Sequence, residues 1–307
     1  MKIRIGTRGS GLALYQANLV KDALLSAFPG TDIELVVIKT KGDKILDVAL
    51  SKIGDKGLFT KELENFLFSG EIDVAVHSLK DIPTTLPEGL TLCAVTQRED
   101  RRDALVSRES KKLDDLNGSH KIATSSLRRK ASLLRYNSSL KVIDIRGNID
   151  TRLGKMQAGY CDAIVMAVAG LKRMGMEKHI TEILPPDQFL PAVGQGALGL
   201  EIRADDTKMS DILVHINHPD TWTEISAERA FMKKLEGGCL VPVGCHTLLQ
   251  GSGLTMTGFV SGTDGKNYLH HMLSGSAAEP GKLGDALAAA LLDMGGDRVL
   301  REIRISE

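Results

Sequence analysis

The stretch KIRIGTRGSGLALYQANLVKDALL, residues 2–25, decides the fold class. Residues 2–6 read as a short strand. Ser10 reads as the N-cap of an amphipathic helix carrying Leu12, Leu14, Ala17, Val20 and Leu24 at helical spacing, stopped near Pro29-Gly30. Working outward, residues 32–40 form a strand, 57–69 a helix and 73–77 a buried strand. Residues 121–124, 141–145 and 163–168 are further strands, each followed by helical pattern. Repeated β-α units of this kind predict an α/β protein with mostly parallel sheets and helices on both faces. In such folds ligands bind in the crevice beyond the carboxyl ends of the strands.

Composition narrows the classes. A chain of 307 residues exceeds one typical core, so two or three domains are expected. The 39 Lys and Arg balance the 39 Asp and Glu, and aromatic residues make up 4%, so neither charge nor stacking surface favours nucleic acid or a membrane. No charged-then-apolar leader starts at Met1, and charge or glycine interrupts every long apolar stretch, which predicts a cytoplasmic protein without a spanning helix. Cys93, Cys161, Cys239 and Cys245 form no C-x-x-C pair and have no matching histidine spacing, which argues for free thiols and against zinc. The polar run Gln97-Arg98-Glu99-Asp100-Arg101-Arg102 reads as a crossing linker, and residues 184–191, rich in proline, as a second break. After Trp222 the pattern changes to glycine-rich strands at 248–260 and one late helix at 282–294, a separate small α+β domain.

The chemistry-bearing residues are cations placed just after strands. Arg8 and Ser10 follow the first strand, Thr124-Ser125-Ser126-Leu127-Arg128-Arg129 opens a helix, and Arg146-Gly147-Asn148 leaves another strand with Arg152 beyond it. Arg173 ends an apolar run, and Lys52 and Lys56 flank Gly54 in a loop. Hydroxyls and free N–H groups at a helix start attract anions, and arginine matches carboxylate with two parallel hydrogen bonds. Taken singly, each of these reads more readily as a solvated surface charge; their common place at strand exits is what points to a site. One acid stands among them. His77-Ser78-Leu79-Lys80-Asp81-Ile82-Pro83 puts Lys80 and Asp81 at the crevice edge, as a charge-stabilising carboxylate or as a structural Lys–Asp pair. His77 itself reads as packed or hydrogen-bonded. Cys239, in Glu236-Gly237-Gly238-Cys239-Leu240-Val241-Pro242, is either a thiol presented on a tight turn or a small buried hydrophobe.

Six motifs occur in an order that resembles porphobilinogen deaminases: Thr7-Arg8 with Ser10, His77 to Asp81, Thr124 to Arg129, Arg146-Gly147-Asn148 with Thr151-Arg152, Pro191-Ala192-Val193-Gly194-Gln195-Gly196-Ala197, and Glu236-Gly237-Gly238-Cys239. Leu79, Leu240 and the extra thiol Cys245 depart from the usual pattern. The resemblance implies two domains like type II periplasmic binding proteins and a third α+β domain. It divides the chain into 1–97 with 193–217, 98–192, and 218–307. It also implies a dipyrromethane cofactor tied by a thioether to Cys239 and contacted by Ser78, Lys80, Asp81, Thr124, Ser126, Arg128, Arg129 and Arg146. Substrate binding falls to Arg8, Ser10, Gln16, Arg146, Arg152, Arg173 and Gln195, catalysis to Asp81 with Arg8 and Lys80, and a lid to Lys52 and Lys56. The implied partners of the chain, a monomer, are porphobilinogen and the growing oligopyrrole, joined four times before hydrolysis releases hydroxymethylbilane. Two other classes share features with this chain. An anionic-solute binding protein would have the crevice and arginines but no use for Cys239. A thiol-dependent acyl or alkyl transferase would use Cys239 as a transient nucleophile with a depressed pKa.

Overall fold

The computed structural model describes residues 2–44, 57–236 and 241–305. They fall into two units, one of residues 2–44, 57–99 and 196–222, the other of residues 100–195, 223–236 and 241–305.

The chain begins with β1 (Lys2–Arg8), α1 (Gly11–Ala27), β2 (Asp32–Ile38), α2 (Lys61–Phe68), β3 (Val74–Ser78) and β4 (Leu90–Val95) in the first unit. The second unit takes β5 (Asp103–Ser107), β6 (Lys121–Ala123), α3 (Leu127–Tyr136), β7 (Lys141–Ile143), α4 (Ile149–Gln157), β8 (Ala163–Ala167), α5 (Val168–Arg173) and β9 (Glu182–Ile183). Then β10 (Leu198–Arg203) and α6 (Thr207–Leu213) belong again to the first unit. They are followed by α7 (Pro219–Lys234), β11 (Val243–Gln250), β12 (Gly253–Val260), β13 (Leu269–Ser276), α8 (Pro280–Leu291) and α9 (Asp297–Ile305).

The first sheet has the order β2-β1-β3-β10-β4 and the second β7-β6-β8-β5-β9. Both follow one plan, three parallel strands and then an antiparallel fourth. As expected of mostly parallel sheets, four of the five strands in each run one way and a single strand runs against them. β10 runs antiparallel to β3 and β4, and β5 to β8 and β9. Each of these two strands follows a stretch without regular structure, and antiparallel pairing needs no crossover helix. The third sheet, β11-β12-β13, is antiparallel and buries Val243, Cys245, Leu254 and Met256 against Leu283 and Leu287 of α8 and Phe231 of α7. This is the small α+β domain.

The apolar spacing of α1 is realised: Ala17, Val20 and Leu24 pack with Ile3, Ile5, Val74 and Val76 on one face of the first sheet. Leu63 and Leu67 of α2 cover Ile38 and Ala75 on the other. Several bounds differ from expectation. β1 continues through Arg8 because Thr7 and Arg8 keep their ladder with Val37 and Ile38, so Arg8 is the last strand residue and not a loop residue. The helix expected from residue 57 starts at Lys61, after a turn in which Gly57 takes φ +93°, a conformation that glycine tolerates. The late helix expected at 282–294 is α8, which ends at Leu291, and a second helix, α9, follows a break where Gly295 adopts φ +106°.

Candidate functional site

The first unit gathers its polar motif residues at the carboxyl ends of β1 and β3. Ser10 caps α1 by accepting the Ala13 N–H at 3.3 Å, and Thr7 donates from Oγ1 to the Ala13 carbonyl at 3.0 Å, so the turn carrying Arg8 is pinned from both sides. Gln16, buried on α1, is bonded to the Ser78 hydroxyl at 2.8 Å. A 3₁₀ turn, Leu79–Asp81, follows β3, and the Leu79 N–H donates to the Ala197 carbonyl at 3.0 Å. A shallow cleft, open to solvent, is lined by Arg8, Ala13, Gln16, Phe59, Val76, His77, Ser78 and Asp81. Four residues nominated as site residues, Arg8, Gln16, Ser78 and Asp81, therefore line one cleft, from the ends of two strands, one helix and the turn after β3. Lys80 sits half-buried on the same turn.

Two neighbours of Arg8 have no signal in the local sequence. Its guanidinium pairs with Asp43, and it stacks 4.1 Å from the centroid of Phe59. Asp43 also accepts from the Thr40 hydroxyl at 2.8 Å, and the Arg8 and Thr40 hydrogen bonds outweigh burial to hold its carboxyl below the usual range. On the far side of β3, the buried His77 ring lies 2.9 Å from Glu201 of β10, which agrees with a hydrogen-bonded histidine.

In the second unit the motif 124–129 splits by role. Thr124 is buried and its Oγ1 accepts the Ser126 N–H at 3.2 Å; Ser126 caps α3 by accepting the Arg129 N–H. Ser125 bonds the Ile145 carbonyl at 2.7 Å and so ties the motif to the segment carrying Arg146. Arg128 and Arg129 are buried and share one acid, Asp103. Its Oδ2 lies 2.8 Å from Arg128 Nη1 and its Oδ1 2.7 Å from Arg129 Nη2. Gln195 joins the same cluster, donating to Asp103 at 2.8 Å and to the Arg101 carbonyl at 2.8 Å. Burial opposes ionisation of Asp103, but the two guanidinium groups win and hold its carboxyl well below the usual carboxylate range. The cluster thus holds two cations against one anion, and the buried Nε–H groups of both arginines have no hydrogen-bond partner among the described residues. Such a surplus suits a ligand carboxylate.

Arg146 is half-buried, and burial lowers its pKa; its carbonyl accepts from Lys155 Nζ at 3.1 Å. Arg152 Nε donates to the Gly147 carbonyl at 2.8 Å, beneath the Asn148 cap of α4. Arg173 is buried at the end of α5. Sequence reasoning missed Asp103, the hub of the second unit, because its partners lie 25, 26 and 92 residues away along the chain. Cys239, Lys52 and Lys56 lie outside the described residues. No described helix is long and apolar enough to cross a membrane.

Comparison with known proteins follows this division. The family described as "Porphobilinogen deaminase, dipyromethane cofactor binding domain" matches residues 3–211, and "Porphobilinogen deaminase, C-terminal domain" matches residues 222–293. The chain is 49% identical over 302 residues to the porphobilinogen deaminase of Geobacter sulfurreducens, covering 98% of this chain and 95% of that one. It is likewise 49% identical over 304 residues to that of a Nostoc species, covering 98% and 94%. Among solved structures, the Bordetella pertussis BvgS periplasmic VFT2 domain is similar at TM-score 0.43 and 16% identity, over 70% of this chain and 86% of that one. Matched along nearly its whole length by both family domains and by these relatives, the chain belongs to the porphobilinogen deaminase family.

Proposed function

We propose that the chain deaminates porphobilinogen and joins four molecules head to tail on a dipyrromethane bound to Cys239, then releases hydroxymethylbilane by hydrolysis. Family membership already makes it a transferase of porphyrin biosynthesis with a dipyrromethane-binding domain. The observation that carries the finer reading is the cleft in which Asp81 lies with Arg8, Gln16 and Ser78. A dipyrromethane presents pyrrole N–H donors and carboxylate acceptors. Asp81 offers an acceptor for the first, and Arg8 and the Ser78 hydroxyl offer donors for the second. The residues present therefore fit the group. Lys80, Thr124, Ser126 and Arg146 are its further proposed ligands. Three domains are proposed, 1–97 with 193–217, 98–192 and 218–307.

When bound, the cofactor supplies a free pyrrole α-carbon as the nucleophile. The chain's own residues do the rest. Arg8, Ser10, Gln16, Arg146, Arg152, Arg173 and Gln195 are proposed to bind the acetate and propionate of porphobilinogen, each charge-assisted contact contributing about 1.5–3 kcal/mol. Arg173 and Gln195 act from behind others, since both are buried. Loss of ammonia leaves a cationic methylene-pyrrolenine, which the Asp81 carboxylate stabilises by charge and by accepting pyrrole N–H bonds, while Lys80 and Arg8 complete the polar wall. Lys52 and Lys56 are proposed as a lid, and the working form as a monomer. Intact mass tests the anchor: the wild-type chain should carry a two-pyrrole adduct after incubation with porphobilinogen, and Cys239→Ser should carry none. Asp81→Ala should lose turnover by at least about 100-fold with the circular dichroism spectrum unchanged. Near-normal turnover would refute its role.

A further inference from the structure

What fixes the end of β3, and with it Asp81, lies on the opposite face of the sheet. Side chains alternate along a strand, so Ser78 meets Gln16 of α1 while His77 faces the side covered by α2. There His77 Nε2 is 2.9 Å from Glu201 Oε2, with 3% and 0% of the two side chains exposed. Glu64 of α2 is buried beside them. Burial, reinforced by Glu201, pushes its carboxyl up. The other Glu201 oxygen, Oε1, has no hydrogen-bond partner among the described residues.

A buried pair of this kind rarely adds net stability over apolar side chains of the same volume; fixing one geometry among several is its better-attested use. Here it belongs to a run of alternate residues that all grip the same segment. Ala197 accepts the Leu79 N–H at 3.0 Å. Gly199 leaves space that a Cβ would contest with Leu79 Cδ1 at 2.7 Å and Ile82 Cδ1 at 2.6 Å. Glu201 then holds His77. The three successive grips run along one strand edge and bracket the Leu79–Asp81 turn.

We propose that Glu201 is a positioning residue for the reaction: its buried bond to His77 fixes the end of β3 and so the placement of the Asp81 carboxylate. The inference rests on Asp81 being the reacting carboxylate. It is tested on the full chain carrying its cofactor, comparing Glu201→Leu, which removes the bond at similar volume, with Glu201→Gln, which keeps an acceptor oxygen for His77. Glu201→Leu should lower kcat by roughly 10- to 100-fold with KM within about twofold, the loss expected of a sub-ångström to 1 Å misplacement. Hydrogen exchange at the Leu79 amide should quicken by about tenfold or more, and Glu201→Gln should recover most of both. The double variant His77→Leu/Glu201→Leu leaves no unpaired polar group, so it folds even where the single variant does not; the same loss of kcat is expected in it. Normal kcat per folded, loaded molecule in Glu201→Leu or in the double variant overturns the proposal, as does equal loss in Glu201→Gln and Glu201→Leu. Normal turnover by Asp81→Ala in the same series overturns the underlying assignment instead, which keeps the two failures apart.

Discussion

Asp103→Asn is the most informative perturbation of the second unit. The native carboxylate meets Arg128 at 2.8 Å, Arg129 at 2.7 Å and the Gln195 amide at 2.8 Å, and it is 1% exposed. Asparagine keeps the shape but removes the only anion paired with two buried guanidinium groups among the described residues. It also turns an N–H₂ group toward donors. Breaking a buried pair by removing one partner typically costs about 3–5 kcal/mol, because a charge is left uncompensated. At about 2–4 °C per kcal/mol for a unit of this size, the melting temperature should fall by roughly 6–20 °C. Urea unfolding followed by far-UV circular dichroism measures the loss directly. Replacing the whole cluster, as Asp103→Leu with Arg128→Met and Arg129→Met, should recover most of that stability, since no buried charge remains. The variant should still fail to accumulate the dipyrromethane adduct. A single Asp103→Asn within about 1 kcal/mol of wild type would refute the reasoning, and so would a triple variant less stable than the single one.

Two further outcomes follow from named contacts. The carboxyls of Asp103 and Asp43 are held below their ordinary values by their arginine partners, so their contribution is complete above the unfolded value near 3.9 and is lost as pH falls through the folded ones. Glu64, raised by burial, works the other way and regains stability as pH falls through its own folded value. The stability profile should therefore be nearly flat on the acid side of neutrality and drop steeply below about pH 4, and urea midpoints across pH 3–7 measure it. Gly199→Ala should cost about 1–3 kcal/mol by overpacking Leu79, Ile82 and Leu92, and should reduce porphobilinogen turnover more than cofactor loading; paired activity and mass measurements check this.

The residues differ in how far sequence alone could reach them, and the difference is one of range. Helical spacing and the Ser10 cap gave α1, since both are local: the apolar stripe meets the sheet within one β-α unit. The antiparallel strands β5 and β10 were not legible, because six residues such as LGLEIR read as strand only beside neighbours supplied by distant segments. The site divides along the same line. Arg8, Ser78 and Asp81 were found because strand ends place them, and one motif holds both Ser78 and Asp81. The groups that decide what those residues do came from elsewhere in the chain: Asp43 on Arg8, Asp103 on Arg128 and Arg129, Glu201 on His77. Each is an acid matched to a cation or imidazole across 25 to 124 residues. A motif thus names the groups available to a ligand, whereas their counter-ions, which set the charge left over for that ligand, depend on packing. In the Arg128–Arg129 cluster, among the described residues, that remainder is one positive charge beyond Asp103.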